Sequence, residues 1–208
     1  MPDRERYPKQ LVPGESTVLR RWCSAQPVRC CYWNDMNQRD RIESESTSER
    51  HVLFLDFDGT THRQSALRTR RGIVSSAPNI KLFEFAPVLV DCIKPYPQLE
   101  IVLSTSWVRA LGYQRAKNAL PVELRERVVG ATYHSKFYDA WAWPVIGRGI
   151  QVLRYVQTHH LTRWVAIDDE IDGFEEFLNH VVRCDVMLGL GDEATQRLLR
   201  IRLAEQFG

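Results

Sequence analysis

The sequence predicts an α/β protein built as a three-layer, doubly wound (Rossmann-like) parallel sheet. Short runs that are apolar at every position indicate strands covered on both faces, and helical segments alternate with these runs. The 208 residues are 44% hydrophobic and 26% charged, which is the balance of an ordinary globular protein. Together these observations favour one sheet with helices on both sides.

The elements follow from local patterns. Fully apolar runs predict strands at Val52–Leu55, Ile101–Leu103, Arg127–Gly130 and Trp164–Ile167, with a weaker fifth at Val181–Asp185. Apolar residues at helical spacing, with proline or aspartate at several starts, predict helices at Phe83–Ile93, Pro121–Arg127, Gly149–His159, Asp172–His180 and Asp192–Gln206.

Residues 1–50 differ in composition from the rest and predict an irregular N-terminal extension or linker before one domain at 51–208. The five cysteines are odd in number and lack metal-site spacing, which indicates reduced thiols. A formal charge of +2 excludes a strongly basic nucleic-acid coat protein. Because the sequence has neither an apolar leader nor a run long enough to cross a bilayer, we expect a cytoplasmic protein with no membrane partner. The sequence does not specify the oligomeric state.

Polar groups collect where the predicted strands end. They are Asp56 and Asp58 after the first strand, Ser104 and Thr105 after the second, and Asp168 and Asp169 after the fourth. Taken singly, each motif has a simpler explanation as a turn or a helix cap. Ligands of an open parallel sheet bind beyond its carboxyl ends, so we expect these groups in one crevice. Four carboxylates there repel unless a cation lies between them, and an all-oxygen set favours Mg²⁺.

The string Leu53–Thr60 resembles the first motif of the haloacid dehalogenase-like (HAD) phosphatase superfamily. Ser104 or Thr105 is similar to the second motif, and Asp168–Asp169 to the fourth. More narrowly, LSTSW at Leu103–Trp107 and L..RVVG.T at Leu124–Thr132 are similar to the HAD domain of Swiss Army Knife RNA-repair proteins.

This resemblance implies a Mg²⁺-dependent phosphatase that acts through an aspartyl-phosphate. Asp56 is the implied nucleophile, and Asp58 the implied general acid and base. The implied metal ligands are Asp56, the backbone carbonyl of Asp58, Asp168 and Asp169. In this scheme the cation neutralises phosphoryl oxygens so that an anionic nucleophile can approach.

Three assignments stay open within the resemblance. The hydroxyl that hydrogen-bonds a phosphoryl oxygen is Ser104 or Thr105. The cation of the third motif is Arg148, at the start of the helix before the fourth strand, or Lys136; we favour Arg148, since arginine binds phosphate as a fork. Asp172 is a further candidate outer ligand.

The segment between Thr60 and Glu84 is too short for a large cap, so we expect a capless or minimally capped enzyme with a flap. An open crevice suits a macromolecular phosphate better than a small metabolite. RNA or DNA ends are therefore the leading substrates, held by phosphate contacts and by stacking on the aromatic loop at 134–144. Alternatives are a phosphatase of small phosphometabolites and a non-catalytic binding module with this fold. The candidate substrate-binding residues are Gly59, Arg68, Arg70, Arg71 and Arg109.

Overall fold

The computed structural model of the chain describes residues 49–70, 72–136 and 141–208. The predicted extension at 1–50 lies almost wholly outside the described residues, as do Arg71 and residues 137–140 of the aromatic loop. The description that follows therefore concerns the HAD-like region predicted at 51–208.

Strands and helices alternate along this region. The strands are β1 (His51–Leu55), β2 (Ala66–Thr69), β3 (Gly72–Ser75), β4 (Glu100–Leu103), β5 (Val128–Ala131), β6 (Arg163–Asp168) and β7 (Val181–Arg183). The α-helices are α1 (Ala86–Ile93), α2 (Ser106–Leu111), α3 (Tyr113–Ala119), α4 (Val122–Arg125), α5 (Arg148–Thr158) and α6 (Glu193–Phe207). Short 3-10 turns at Trp143–Val145, Leu178–His180 and Gly189–Gly191 complete the described elements.

In the described ranges, five strands form one parallel sheet in the order β5-β4-β1-β6-β7. β1 is central, and the chain leaves it for β4 on one side and reaches β6 on the other. This reversal is the topological switch point at which open α/β sheets bind their ligands. The predicted doubly wound parallel sheet is confirmed.

The core lies on both faces of the sheet because strand side chains alternate between faces. Leu53 and Leu55 of β1 pack in the cluster that contains residues of α1 and α6, whereas Val52 and Phe54 pack with Val152 of α5. The side chains of these four β1 residues are fully buried. The uninterrupted apolar run that predicts β1 is thus explained by helices on both sides of it.

One predicted helix is wrong. The segment Asp172–His180 forms turns that end in a 3-10 turn, not an α-helix. Gly173 adopts φ +85°, which interrupts a helix, and its position packs so closely on Gly149 that a β-carbon there would lie 2.9 Å from the backbone nitrogen of Ile150. Contact with the start of α5 therefore overrides the local helical pattern.

The structure adds elements that the sequence patterns do not indicate. Between Trp107 and Arg148 the sequence patterns predict one helix, at Pro121–Arg127, but α2, α3 and α4 all lie within or across this span. The expected flap is an antiparallel hairpin of β2 and β3, which matches the minimal cap predicted. No helix in the described ranges is both long and apolar enough to cross a membrane.

Candidate active site at the carboxyl end of the sheet

Asp56, Ser104 and Asp168 lie side by side on neighbouring strands. Leu55 of β1 pairs with Leu103 of β4 and with Ile167 of β6. Asp56, Ser104 and Asp168 are the residues that directly follow these three. The pairing continues beyond β1 and β4: Asp56 N–H donates to the carbonyl of Ile167 at 3.1 Å, and Ser104 N–H donates to that of Leu55 at 2.9 Å. All three residues are buried, with 1–2% of their surface exposed. The register of the sheet therefore brings two carboxylates and a hydroxyl together.

The carboxylates of Asp56, Asp168 and Asp169 form a cluster whose oxygens lie within 4.8 Å of one another. Burial, followed by the charge of Asp168, raises the pKa of Asp56 well above its ordinary value. Burial also raises the pKa of Asp168 to about 7, although Arg148 opposes the shift. Burial and the charge of Glu170 raise the pKa of Asp169. Each shift shows that negative charge is costly here.

Arg148 is the cation that faces this cluster. Its Nη2 lies 3.6 Å from Asp56 Oδ1, and its Nε lies 3.0 Å from Asp168 Oδ2, although the N–H of Nε is not aligned for a hydrogen bond. The side chain is only 10% exposed. Arg148 opens helix α5, whose start is anchored by a 2.8 Å hydrogen bond from Gly149 N–H to the carbonyl of Asp172.

The cluster fits a divalent cation. Its donors are all carboxylate oxygens, and one guanidinium faces three acidic groups, so negative charge exceeds positive charge in a buried place. Oxygen ligands with excess negative charge are what Mg²⁺ and Ca²⁺ bind. Asp56, Asp168 and Asp169 could therefore hold a metal ion. The other candidate ligand, Asp172, is exposed. Its carboxylate lies so close to Gly147 that a β-carbon at position 147 would collide with it.

The other third-motif candidate, Lys136, is exposed in the segment after β5, and its backbone N–H donates to Nδ1 of His134 at 3.1 Å. Burial and the two ion pairs therefore favour Arg148 over Lys136 as the residue beside the acidic cluster.

Asp58 occupies a different environment although it is only two residues from Asp56. Its Oδ1 accepts a 2.8 Å hydrogen bond from Ala66 N–H of the hairpin, and its Oδ2 accepts a 3.0 Å bond from the indole N–H of Trp107. Nε2 of the buried His62 lies 3.3 Å from Oδ1, without hydrogen-bond alignment. The Asp58 side chain is 22% exposed. This carboxylate is thus oriented by N–H donors and still reaches the solvent.

The structure separates the two candidate hydroxyls. Thr105 caps helix α2, because its Oγ1 accepts a bond from Trp107 N–H at 3.4 Å. The Oγ of Ser104 is buried and has no hydrogen-bond partner among the described residues. A buried hydroxyl without a partner is unfavourable unless a ligand supplies one. The geometry therefore favours Ser104 as the hydroxyl that is available to a ligand.

Gly59 is required for the turn that follows β1. It adopts φ +67°, where residues with a side chain are strained, and a β-carbon would lie 2.7 Å from Asp169 Oδ2. The absence of a side chain thus lets the turn approach the acidic cluster. Phe57, between the two aspartates, points the other way into the core, fully buried.

The candidate substrate-binding arginines lie on two different segments. Arg68 and Arg70 are exposed on the hairpin, whereas Arg71 lies outside the described residues. Arg109 is exposed on α2 and lines a cavity of about 220 Å³ together with Arg148. Of the two tryptophans in the aromatic loop at 134–144, Trp141 is 87% exposed, whereas Trp143 is buried in the core.

Sequence reasoning missed the groups that orient Asp58. Trp107 was noted only as part of a motif, and His62 and the N–H of Ala66 were not noted. The position of Trp107 two residues after Thr105 could have drawn attention to it, because the segment that follows β4 begins the next helix near the crevice. Nothing in the sequence indicates the hairpin hydrogen bond, which depends on three-dimensional folding.

The arrangement of these groups around a doubly wound parallel sheet defines the class of the protein as a HAD-like α/β domain. A family described as "HAD domain in Swiss Army Knife RNA repair proteins" matches residues 52–195, more than half of the chain, and the chain belongs to this family. The comparisons with curated proteins and with solved structures find no match. The family suggests a phosphatase-type hydrolase, and HAD domains generally use a divalent metal.

Proposed function

We propose that the protein is a Mg²⁺-dependent phosphohydrolase that acts through an aspartyl-phosphate on the phosphorylated ends of nucleic acids. The observation that carries the proposal is the cluster of the buried Asp56 and Asp168 and the half-buried Asp169 near Arg148, together with the buried Ser104 hydroxyl, which has no hydrogen-bond partner in the described ranges. Membership of a HAD family supports the reaction class.

In the first step, an Asp56 carboxylate oxygen attacks the phosphorus, and the bond from phosphorus to the ester oxygen breaks as the new bond forms. Asp58 gives its proton to the departing oxygen. In the second step, Asp58 accepts a proton from a water molecule that attacks the same phosphorus. Phosphate is released, and Asp56 regains its carboxylate.

The other side chains bind the phosphoryl group. Arg148 pairs with its oxygens through the guanidinium fork, and the Ser104 hydroxyl donates a hydrogen bond to one of them. Asp56, Asp168, Asp169 and the backbone carbonyl of Asp58 would hold Mg²⁺. The bound cation would supply positive charge that offsets the phosphoryl oxygens and the carboxylates.

The small cap supports a large substrate. The described part of the segment between Thr60 and Glu84 forms only a short hairpin, and Arg68 and Arg70 are exposed on this hairpin. Arg109 provides a third cation at the cavity next to Arg148. Exposed arginines bind successive phosphates of a nucleic-acid strand. The description of the family as part of RNA repair proteins supports the same substrate class.

The test is a phosphate-release screen of the full chain with 5′- and 3′-phosphorylated oligonucleotides, nucleotides and sugar phosphates, each with Mg²⁺ or EDTA. We expect Mg²⁺-dependent release that is fastest from oligonucleotide ends. The Asp56→Asn variant should release none, whereas Asp91→Asn, the same change at an exposed carboxylate on α1, should match the wild type. Faster release from sugar phosphates than from oligonucleotides would show that the substrates are small phosphometabolites and not nucleic-acid ends. No metal-dependent release from any ester would favour a non-catalytic binding module.

A further inference from the structure

We propose that Trp107 is a positioning residue that orients Asp58 toward the leaving group through its indole N–H. This inference rests on the proposed function, because it assigns a role within phosphate-ester cleavage. Its structural basis is the 3.0 Å hydrogen bond from Trp107 Nε1 to Asp58 Oδ2, which joins residues 49 positions apart in the chain.

The indole is held rigidly. Trp107 is 3% exposed, and its ring contacts Phe57, Phe83 and His62 edge-on, with centroid distances of 5.3, 5.5 and 6.1 Å. These rings come from the turn after β1 and from the segment before α1. Side chains locked by packing position a functional group more accurately than mobile ones do. The direction of the N–H is therefore set by the core.

The carboxyl group of Asp58 is held at both oxygens. Ala66 N–H donates to Oδ1, and Trp107 donates to Oδ2, so rotation about the last side-chain bond breaks one bond or both. The side chain nevertheless remains 22% exposed and can meet a substrate. A general acid that is misaligned by a small rotation transfers its proton less effectively, because catalysis depends on near-attack geometry.

Thr105 supports the same arrangement. Its hydroxyl caps helix α2 by accepting from the backbone N–H of Trp107, so the cap fixes the residue whose side chain holds Asp58. The Ser-Thr-Ser-Trp segment thus has divided roles: Ser104 faces the phosphoryl site, Thr105 starts the helix, and Trp107 reaches across to Asp58.

This role predicts a specific kinetic signature. Protonation matters most when the departing oxygen is basic, as in phenyl phosphate, and least for p-nitrophenyl phosphate, whose leaving group departs as a stable anion. The value of kcat/KM reports only the steps through formation of the phosphorylated Asp56. Losing the Trp107 N–H should therefore lower kcat/KM for phenyl phosphate more than for p-nitrophenyl phosphate.

The experiment compares the ratio of these two kcat/KM values in each protein. The ratio does not depend on the fraction of folded enzyme, so a loss of stability cannot imitate the effect. The Trp107→Phe variant should raise the ratio of the p-nitrophenyl to the phenyl value about tenfold, below the roughly hundredfold expected for Asp58→Asn. A shape-matched replacement, β-(3-benzothienyl)alanine at position 107, removes only the N–H and should raise the ratio similarly.

The control is Trp164→Phe, the same change at an equally buried tryptophan of β6 that packs on the other face of the sheet. It should leave the ratio unchanged. An unchanged ratio in both position-107 variants, with phosphatase activity present, would overturn the inference and leave the proposed function intact. If the wild type releases phosphate neither from these two esters nor from the phosphorylated oligonucleotides under any metal condition, the proposed function fails, and this inference fails with it.

Discussion

Replacing Asp56 by asparagine tests whether the acidic cluster is held against electrostatic repulsion. The Asp56 oxygen lies within 4.8 Å of one oxygen each of Asp168 and Asp169, and 3.6 Å from the Arg148 guanidinium. At an effective dielectric constant of 20, each carboxylate repels Asp56 by about 3.5 kcal/mol and the guanidinium attracts it by about 4.6 kcal/mol. Repulsion therefore exceeds attraction by about 2 kcal/mol, before the cost of burial is added.

We expect the metal-free Asp56→Asn variant to be more stable than the wild type. Because burial and the charge of Asp168 raise the pKa of Asp56, partial protonation relieves some of this repulsion, and the expected gain is about 1 kcal/mol. For a domain of this size, 1 kcal/mol moves the unfolding midpoint by about 3 °C. The assay is thermal unfolding in EDTA, followed by circular dichroism, with Asp91→Asn as the matched exposed substitution that should change little.

Saturating Mg²⁺ should reverse this order. A ligand at 100 times its Kd stabilises the folded state by about 2.7 kcal/mol, and the variant has lost one of the proposed ligands. The wild type should therefore gain more from Mg²⁺ than Asp56→Asn does. A variant that is less stable than the wild type in EDTA would refute the charge argument. An unfolding midpoint of the wild type that Mg²⁺ does not move would refute the metal site.

The sign of the pH dependence is an internal check on the same prediction. A carboxyl group whose folded-state pKa is raised contributes stability that is fully present below its unfolded pKa and is lost as the pH rises through the folded pKa. Burial raises the pKa values of both Asp56 and Asp168, the latter to about 7. In EDTA, the wild type should thus lose more stability between pH 5 and pH 8 than Asp56→Asn does. An equal loss in both proteins would contradict the assigned cause.

Four further substitutions separate the roles of neighbouring groups. Ser104→Ala should lower kcat/KM about tenfold with little change in the unfolding midpoint. Thr105→Ala should instead lower the free energy of unfolding by about 1 kcal/mol, because the helix cap is lost. The opposite pattern would show that the roles of the two residues are exchanged. Arg148→Gln leaves the acidic groups without their guanidinium and should therefore destabilise the metal-free protein by about 3 kcal/mol. The measurement is urea unfolding, and an unaffected midpoint would show that the ion pairs are weak. Gly59→Ala should weaken Mg²⁺ binding in calorimetry, because its β-carbon would displace the Asp169 carboxylate, and unchanged binding would show that Asp169 is not needed.

The sheet was predictable from the apolar runs, which are local patterns. The acidic cluster was predictable from the general rule that the carboxyl ends of parallel strands meet at one edge of the sheet. The apolar run before Asp56 favours a strand that is buried on both faces, and parallel strands bring their ends to one edge. The choice between Ser104 and Thr105 was not predictable, since it depends on where strand pairing stops and helix α2 begins. The predicted helix after Asp172 is wrong because a tertiary contact, Gly173 against Gly149, decides the backbone there.

Asp56 and Asp58 are two residues apart, but the surroundings of their carboxyl groups differ, and this difference suits them to different roles in the proposed reaction. Asp56 faces two carboxylates and a guanidinium in a buried place, so its charge is available only when cations offset it. Asp58 accepts hydrogen bonds from N–H donors of the hairpin and of Trp107, and it keeps contact with solvent. Two identical side chains placed in unlike surroundings can take opposite parts in one reaction, one forming a bond to phosphorus and the other moving protons. Because both donors to Asp58 come from outside β1 and the turn that follows it, the proposed reaction depends on the hairpin and helix α2 to orient this carboxyl group.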